Sequence, residues 1–168
     1  MCAYLLKFGG TLVSFFDYPN QAPASPGTVS LLPDATEEEW ATVLGHTRYR
    51  RFGPGDDVVT AGARDQSLYL VLEGELEVLA PHRRGYRRIA SIAAGSVIGE
   101  LSFFDGGARS ALVRAVTSAL LAELSRAEFD ALAAANPSLA RRLLFDLGRI
   151  LAQRLRAAQR SITIAGGS

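Results

Sequence analysis

The sequence predicts a mainly β domain with flanking helices, in the order helix, β-barrel or sandwich, helix pair. Between residues 46 and 124, seven short stretches have the composition and spacing of β-strands, with glycine- or proline-rich turns among them. Amphipathic helical patterns flank this region on both sides, and each begins at a capping box. The 168 residues of the chain suit one domain of ordinary size with short appendages.

Composition excludes several classes of protein. Apolar residues make up 48% of the chain and the formal net charge is +1, so a sizeable core is expected without the basic balance typical of nucleic-acid binders. Cys2 is the single cysteine, which excludes an internal disulfide and favours a cytoplasmic setting. No membrane span is expected, because no apolar run reaches about 18 residues. No catalytic triad, carboxylate pair or histidine-rich metal site is recognisable, so neither an enzyme nor a metalloprotein is predicted.

Residues 1–33 are expected to form an N-terminal arm and linker before the folded domain. Gly9-Gly10 interrupts the apolar start of the chain, which therefore lacks the unbroken run of a secretory signal. The stretch from Asn20 to Gly27 is rich in proline, alanine and serine, a composition typical of a linker.

A short amphipathic helix is expected before the strands. Thr36 and Glu39 have the spacing of a capping box, in which the Thr36 hydroxyl accepts from the Glu39 amide and the Glu39 carboxylate returns the contact. Gly45 is expected to end this helix. The apolar residues at helical spacing within it are Trp40, Val43 and Leu44.

The strand region is expected over about residues 46–124. One stretch shows the alternation of a half-buried strand, with Leu76 and Val78 on one face and glutamates on the other. Many short strands at this spacing indicate a sandwich or a barrel. The predicted strands are 49–52, 57–60, 67–72, 75–79, 87–92, 111–116 and 119–124.

Two helices are expected after the strands, over about residues 125–162. Ser125 and Glu128 repeat the capping-box pattern, and Asn136-Pro137 breaks the first helix before the second begins. The second helix carries an apolar stripe over about five turns, and the arginines opposite it are expected to face water. The stripe consists of Leu139, Leu143, Leu144, Leu147, Ile150, Leu151 and Leu155, and the arginines are Arg141, Arg142, Arg149, Arg156 and Arg160.

Residues 95–111 do not fit the alternation of strand and turn. They insert about one helical turn, opened by Gly99, and then a Gly-Gly loop that leads to Arg109. A glycine at the start of a short helix lets backbone amides approach an anion, and arginine offers a planar fork of donors that suits phosphate. Glu100 beside an anion needs a donor of its own, which a ribose hydroxyl supplies. The combination indicates a small ligand with a sugar hydroxyl and a phosphate.

This stretch resembles the phosphate-binding cassette of cyclic nucleotide-binding domains. Gly99-Glu100-Leu101 and Arg109-Ser110-Ala111 match the family's Gly-Glu-Leu, one-turn helix, short loop, and Arg with a small residue and Ala. Gly106-Gly107-Ala108 is a departure, because proline often precedes the arginine in the family. The resemblance covers about residues 34–163 and implies a double-stranded β-helix, or jelly-roll, barrel with an N-terminal helix and a C-terminal helix pair.

The resemblance also implies a role for each residue of the cassette. Glu100 would accept the ribose 2′-hydroxyl and Arg109 would pair with the cyclic phosphate, unless the two pair with each other in an empty site. The hydroxyl of Ser110 would contact phosphate or a syn guanine, which leaves cAMP and cGMP open; cAMP is expected because it is the commoner ligand in the family. No cofactor besides this ligand, and no metal, is expected. The remaining ligand-binding residues implied are Gly99, Leu101, Ser102, Ser110 and Ala111.

The resemblance implies a regulatory sensor that signals through its C-terminal helix, which in the family folds over the bound base. Only eight residues follow Arg160, so no helix-turn-helix DNA-binding domain is expected in this chain, and residues 164–168 are read as a tail. A stand-alone module or a part of a larger bacterial protein is expected, with a second copy or an effector as partner of that helix. The alternative is a nucleotide-free interaction module that dimerises through the leucine stripe of residues 139–155.

Overall fold

A computed structural model describes residues 5–8, 11–14 and 31–165 of the chain, with side chains described over 31–156. The helices are α1 (Glu37–Gly45), α2 (Glu100–Asp105), α3 (Arg126–Ala135) and α4 (Pro137–Ala165). The strands are β1 (Leu5–Phe8), β2 (Thr11–Ser14), β3 (Arg48–Phe52), β4 (Asp57–Val59), β5 (Leu68–Glu73), β6 (Glu75–His82), β7 (Gly85–Ala93), β8 (Val97–Ile98), β9 (Leu112–Ala115) and β10 (Ala119–Leu124).

Eight of these strands form two four-stranded antiparallel sheets, in the orders β3-β10-β5-β8 and β4-β9-β6-β7. One helix precedes the sheets, α3 and α4 follow them, and α2 lies between β8 and β9. The predicted mainly β jelly-roll barrel with flanking helices is therefore confirmed. β1 and β2 pair as a separate hairpin within the predicted N-terminal arm, and residues 15–30 of that arm and linker lie outside the described part of the chain.

β5 and β10, the two inner strands of their sheet, are buried on both faces, which explains their continuous apolar runs. Leu68, Leu70 and Leu72 of β5 belong to the core that packs against the helices. Tyr69 and Val71, which alternate with them, belong to the core between the two sheets. A strand with two buried faces has no polar side to alternate, so its sequence shows no period of two.

The helical core joins both ends of the domain. Trp40 of α1 and Leu132 of α3 pack with the α4 residues Leu139, Leu143 and Leu147 in one buried cluster. These three members of the predicted leucine stripe are therefore used inside the domain. Leu31 and Leu32, which precede the predicted start of the domain, are buried in the same cluster.

Both predicted capping boxes are present. The Thr36 hydroxyl accepts from the Glu39 amide at 3.1 Å, and the Glu39 carboxylate accepts from the Thr36 amide at 2.9 Å. Ser125 and Glu128 make the equivalent pair of bonds at the start of α3. Each box satisfies amides that the first helical turn leaves without partners, so these two boundaries follow from local sequence alone.

Within residues 46–124, the strand predictions differ most from the structure at β8 and at the turn between β6 and β7. β8 has only two residues and was not predicted, because so short a segment carries no periodic signal. β6 extends through Pro81 to His82, where a turn was expected. β9 pairs with β6 only as far as Leu79, so Pro81 lies where β6 has a single neighbouring strand and a missing N–H is tolerated.

Gly74 lies at the turn between β5 and β6, and we expect it to tolerate a side chain less well than Gly55. Its φ is +89°, and an added Cβ would lie 2.8 Å from the Cα of Ala119. We expect Gly74→Ala to lower the free energy of unfolding by about 3 kcal/mol, through backbone strain and a clash with neighbouring main chain. Urea unfolding followed by circular dichroism measures this loss.

Gly55→Ala is the matched control, because Gly55 has the same φ of +89° but open space around the added Cβ. Its expected loss is about 1 kcal/mol, from strain alone. Equal losses in the two variants would contradict the packing role assigned to Gly74.

Candidate functional site

The pairing of β5 with β8 positions the cassette predicted from the sequence. Tyr69 lies opposite Ile98 and Leu70 opposite Val97, so the chain before β5 runs beside the start of α2. Gly99 is the N-cap of α2 in the left-handed region, with φ +86° and ψ +8°. The predicted single helical turn opened by this glycine is therefore present.

Gly99 is required by its surroundings as well as by its own conformation. A Cβ added there would lie 2.7 Å from the carbonyl oxygen of Ser67 and would collide with Nη1 of Arg109. No side chain fits this gap unless the arginine moves. The glycine and the arginine of the motif are thus linked by direct packing.

Arg109 is 4% exposed and its side chain is enclosed by the segment before β5 and the start of α2. Its Nε donates to Asp65 Oδ2 at 3.0 Å, and its Nη2 donates to Asp65 Oδ1. Nη2 also donates to the carbonyl oxygen of Ser67 at 2.7 Å, and Nη1 donates to that of Gly99 at 3.1 Å. The guanidinium carbon lies 5.8 Å from the centre of the Tyr69 ring. A buried cation is stable only when paired in this way.

The donor count of Arg109 leaves capacity for a further acceptor. A guanidinium has five N–H groups, and the four hydrogen bonds above use four of them. The remaining N–H belongs to Nη1. This N–H is the one donor of the guanidinium that the four bonds leave unused, and loss of the two bonds to Asp65 would release two more.

Asp65 is the anionic partner of this arginine. Burial raises the pKa of its carboxyl group, but hydrogen bonds from the Arg109 side chain and the Ser67 amide outweigh it, and the pKa is lowered below its ordinary value of 3.8. The Asp65 side chain remains 45% exposed, so solvent reaches the pair from this side. The backbone reinforces the contact, because the Arg109 amide donates to the carbonyl of Ala63 and the Gly62 amide donates to that of Arg109, both at 2.8 Å.

Glu100 does not pair with Arg109. This residue is 6% exposed, and its Oε1 accepts a hydrogen bond from Nη1 of Arg154 in α4. Nη2 of the same arginine donates to the carbonyl oxygen of Val97 at 2.7 Å. The C-terminal helix therefore contacts the cassette directly, through a charge pair and a main-chain bond.

Apolar packing makes a second connection between α2 and the C-terminal helices. Phe103 is fully buried, and its ring lies edge-on to Phe129 of α3 with centroids 5.4 Å apart. Phe104 is partly exposed on the outer side, 5.8 Å from Phe103. Phe103 therefore joins α2 to α3 within the hydrophobic core.

The other predicted site residues lie within the cassette and differ in their exposure. Ser102 is buried within α2, while Leu101 and Ser110 are exposed and Ala111 is half-buried. The Gly106-Gly107 loop between them has its own bonds, from the Gly106 amide to the Ser102 carbonyl at 3.0 Å and from the Gly107 amide to Asp105 Oδ1 at 2.7 Å.

Two residues of the site were not predicted from the sequence. Asp65 lies 44 positions before Arg109, and only the pairing of β5 with β8 reveals that the two meet. Arg154 had a detectable signal, because it continues the spacing of Leu143, Leu147 and Ile150 and thus falls on the buried face of the helix. A charged residue on an apolar stripe needs a partner, and Glu100 is that partner.

Among the described residues, no group of three or more histidine, cysteine, aspartate or glutamate side chains could hold a metal ion. No helix in the described part of the chain is both long and apolar enough to cross a membrane.

Comparison with known proteins finds one matching family and several similar proteins. The family described as cyclic nucleotide-binding domain matches residues 49–136. The chain is 33% identical over 115 residues to the cAMP-activated global transcriptional regulator CRP of Salmonella typhimurium, which is 67% of this chain and 54% of the relative. It is 34% identical over 122 residues to the Cyclic AMP receptor protein of Thermus thermophilus, which is 72% of this chain and 55% of the relative. The chain thus spans about half the length of these curated relatives.

Solved structures agree with these matches. The catabolite activator protein of Thermus thermophilus superposes with a TM-score of 0.72 at 30% identity, over 81% of this chain and 62% of that one. A cyclic nucleotide-binding domain from Methylobacillus flagellatus superposes with a TM-score of 0.74 at 30% identity, over 82% and 78%. Sequence, fold and motif together show that the chain belongs to the cyclic nucleotide-binding domain family.

Proposed function

We propose that the chain is a regulatory sensor domain that binds a cyclic nucleotide, with cAMP preferred to cGMP, and that it performs no catalysis itself. The buried guanidinium of Arg109 carries this proposal. It lies against the N-cap of α2, is held by four hydrogen bonds and keeps one N–H free of protein partners among the described residues. A fixed arginine fork of this kind suits the phosphate of a cyclic nucleotide.

The proposed roles follow the family motif. Arg109 pairs with the phosphate, and Glu100 accepts the ribose 2′-hydroxyl. The first turn of an α-helix leaves amides without partners inside the helix, which supports contacts from the backbone to the sugar–phosphate. The other contacts are assigned to Gly99, Leu101, Ser102, Ser110 and Ala111. The preference for cAMP rests on relatives that are named for it.

The output of the sensor is assigned to α4. This helix contacts the cassette through Arg154, and α3 contacts it through the rings of Phe129 and Phe103. A nucleotide that alters the surroundings of Glu100 therefore alters a contact of α4. Movement of this helix is the signal that a second copy or an effector protein would receive.

One observation favours the alternative of a nucleotide-free interaction module. Arg109 and Glu100 each have a charged partner within the domain, so the site is neutralised without a ligand. An interface on α4 would use its exposed apolar residues, because Leu139, Leu143 and Leu147 are buried in the domain core. The exposed residues of that kind within the described part of α4 are Phe145 and Leu155.

Loss of the Arg109 fork tests the proposed site. We expect Arg109→Lys to weaken cAMP binding by about 100-fold, because the ammonium keeps the charge but cannot make the bidentate contact. Isothermal titration calorimetry measures the affinity for cAMP and cGMP, and a thermal melt checks that the variant is folded. Arg87→Lys is the control, since Arg87 lies on an exposed strand of the other sheet.

If the folded wild-type protein binds neither cAMP nor cGMP, the sensor function is overturned and the interaction module is favoured. Wild-type affinity in folded Arg109→Lys would contradict the assigned site and leave the sensor function standing.

A modified ligand tests Glu100 without changing the protein. We expect 2′-deoxy-cAMP to bind about tenfold more weakly than cAMP, because a buried carboxylate loses the hydroxyl that donates to it. In Glu100→Ala the two ligands are expected to bind equally. Calorimetric titration of both ligands into both proteins completes a double-mutant cycle. An unchanged ratio of the two affinities in Glu100→Ala would show that Glu100 does not contact the 2′-hydroxyl.

A further inference from the structure

Arg154 occupies the cassette in a way that the family motif does not predict. The guanidinium donates to Oε1 of Glu100 and, at 2.7 Å, to the carbonyl oxygen of Val97. Glu100 is the residue assigned to the ribose, so the described structure already supplies it with a donor. The side chain of Arg154 is 41% exposed, which means that it reaches this buried carboxylate from the surface.

The contact holds the part of α4 around residue 154, which lies beyond the leucines that pack in the core. Leu139, Leu143 and Leu147 anchor the first half of the helix in the core, and Ile150 packs partly against it. Further along, Leu155 is 61% exposed. Arg154 therefore ties the second half of α4 to the start of α2.

We propose that Arg154 is an internal occupant of the ribose-binding half of the site, which a nucleotide must displace before it can bind. This inference rests on the proposed function, because it takes Glu100 as the acceptor of the ribose 2′-hydroxyl. The ribose exchanges a charged donor of Glu100 for a neutral one, so displacement costs binding affinity. The same exchange removes both hydrogen bonds between Arg154 and the cassette, and the distal part of α4 is released.

The direction of the movement distinguishes this arrangement from a lid. A lid helix closes on a bound ligand, whereas here α4 reaches through Arg154 to Glu100, the residue assigned to the ribose. Ligand binding and contact of Arg154 with Glu100 exclude each other. By linkage, anything that holds α4 against the cassette lowers nucleotide affinity, and the nucleotide weakens that hold by the same factor.

The dependence of nucleotide affinity on salt should differ between the wild-type protein and a variant without Arg154. Salt weakens the attraction between a phosphate and Arg109, and it also weakens the partly exposed pair of Arg154 and Glu100. In the wild-type protein these two effects oppose each other. Without Arg154 only the first remains, so the affinity should fall more steeply with salt.

The first experiment measures cAMP affinity by calorimetry in Arg154→Gln and in Arg156→Gln. The second variant makes the same change at an exposed arginine two residues further along the helix. We expect Arg154→Gln to bind cAMP about tenfold more tightly than the wild type, with a steeper salt dependence, and Arg156→Gln to match the wild type. Equal binding by Arg154→Gln would overturn the inference, because Arg154 would then not compete with the nucleotide. Weaker binding would also overturn it, because Arg154 would then be a ligand contact.

The second experiment requires no nucleotide. Hydrogen–deuterium exchange of the free proteins reports the opening of the helix around residues 150–156. We expect faster exchange there in Arg154→Gln than in the wild type and in Arg156→Gln. Unchanged exchange would overturn the restraint by Arg154 even if cAMP binds. Failure of every protein to bind cAMP, with faster exchange in Arg154→Gln, would overturn the proposed function but not the restraint.

Discussion

The need to satisfy a buried guanidinium organises the site. Arg109 is almost inaccessible to solvent, and an unpaired cation at that depth would cost several kcal/mol. The segment before β5 supplies Asp65 and the carbonyl of Ser67, and the N-cap of α2 supplies the carbonyl of Gly99. These contacts bring two segments distant in sequence to one point. Gly99 must be glycine because the guanidinium fills the place of a side chain.

The same arrangement connects ligand recognition to the C-terminal helices. α2 is only six residues long, yet it carries Glu100 at one end and Phe103 in its middle. Glu100 meets α4 through Arg154, and Phe103 meets α3 through Phe129. A polar contact sensitive to the ligand thus lies beside an apolar contact that holds the fold. The first can exchange partners while the second keeps α2 in place.

The sequence was informative where structure is local, and less so where it depends on distant pairing. The capping boxes at Thr36 and Ser125 and the helical turn at Gly99 were predicted because each involves residues a few positions apart. β8 was missed because two residues carry no periodicity. Asp65 could not be assigned to Arg109 without the strand register. Arg154 was detectable as a charge on the apolar face of α4, but its partner lies 54 residues away.

A crystal structure of the chain with cAMP bound tests the central claim most directly, because it locates the phosphate, the ribose and Arg154 together. The account predicts the phosphate on the Arg109 fork, the 2′-hydroxyl within hydrogen-bond distance of Glu100, and Arg154 withdrawn from that carboxylate. A nucleotide bound with the contact between Arg154 and Glu100 intact would contradict displacement. A nucleotide bound away from Arg109 would contradict the site itself.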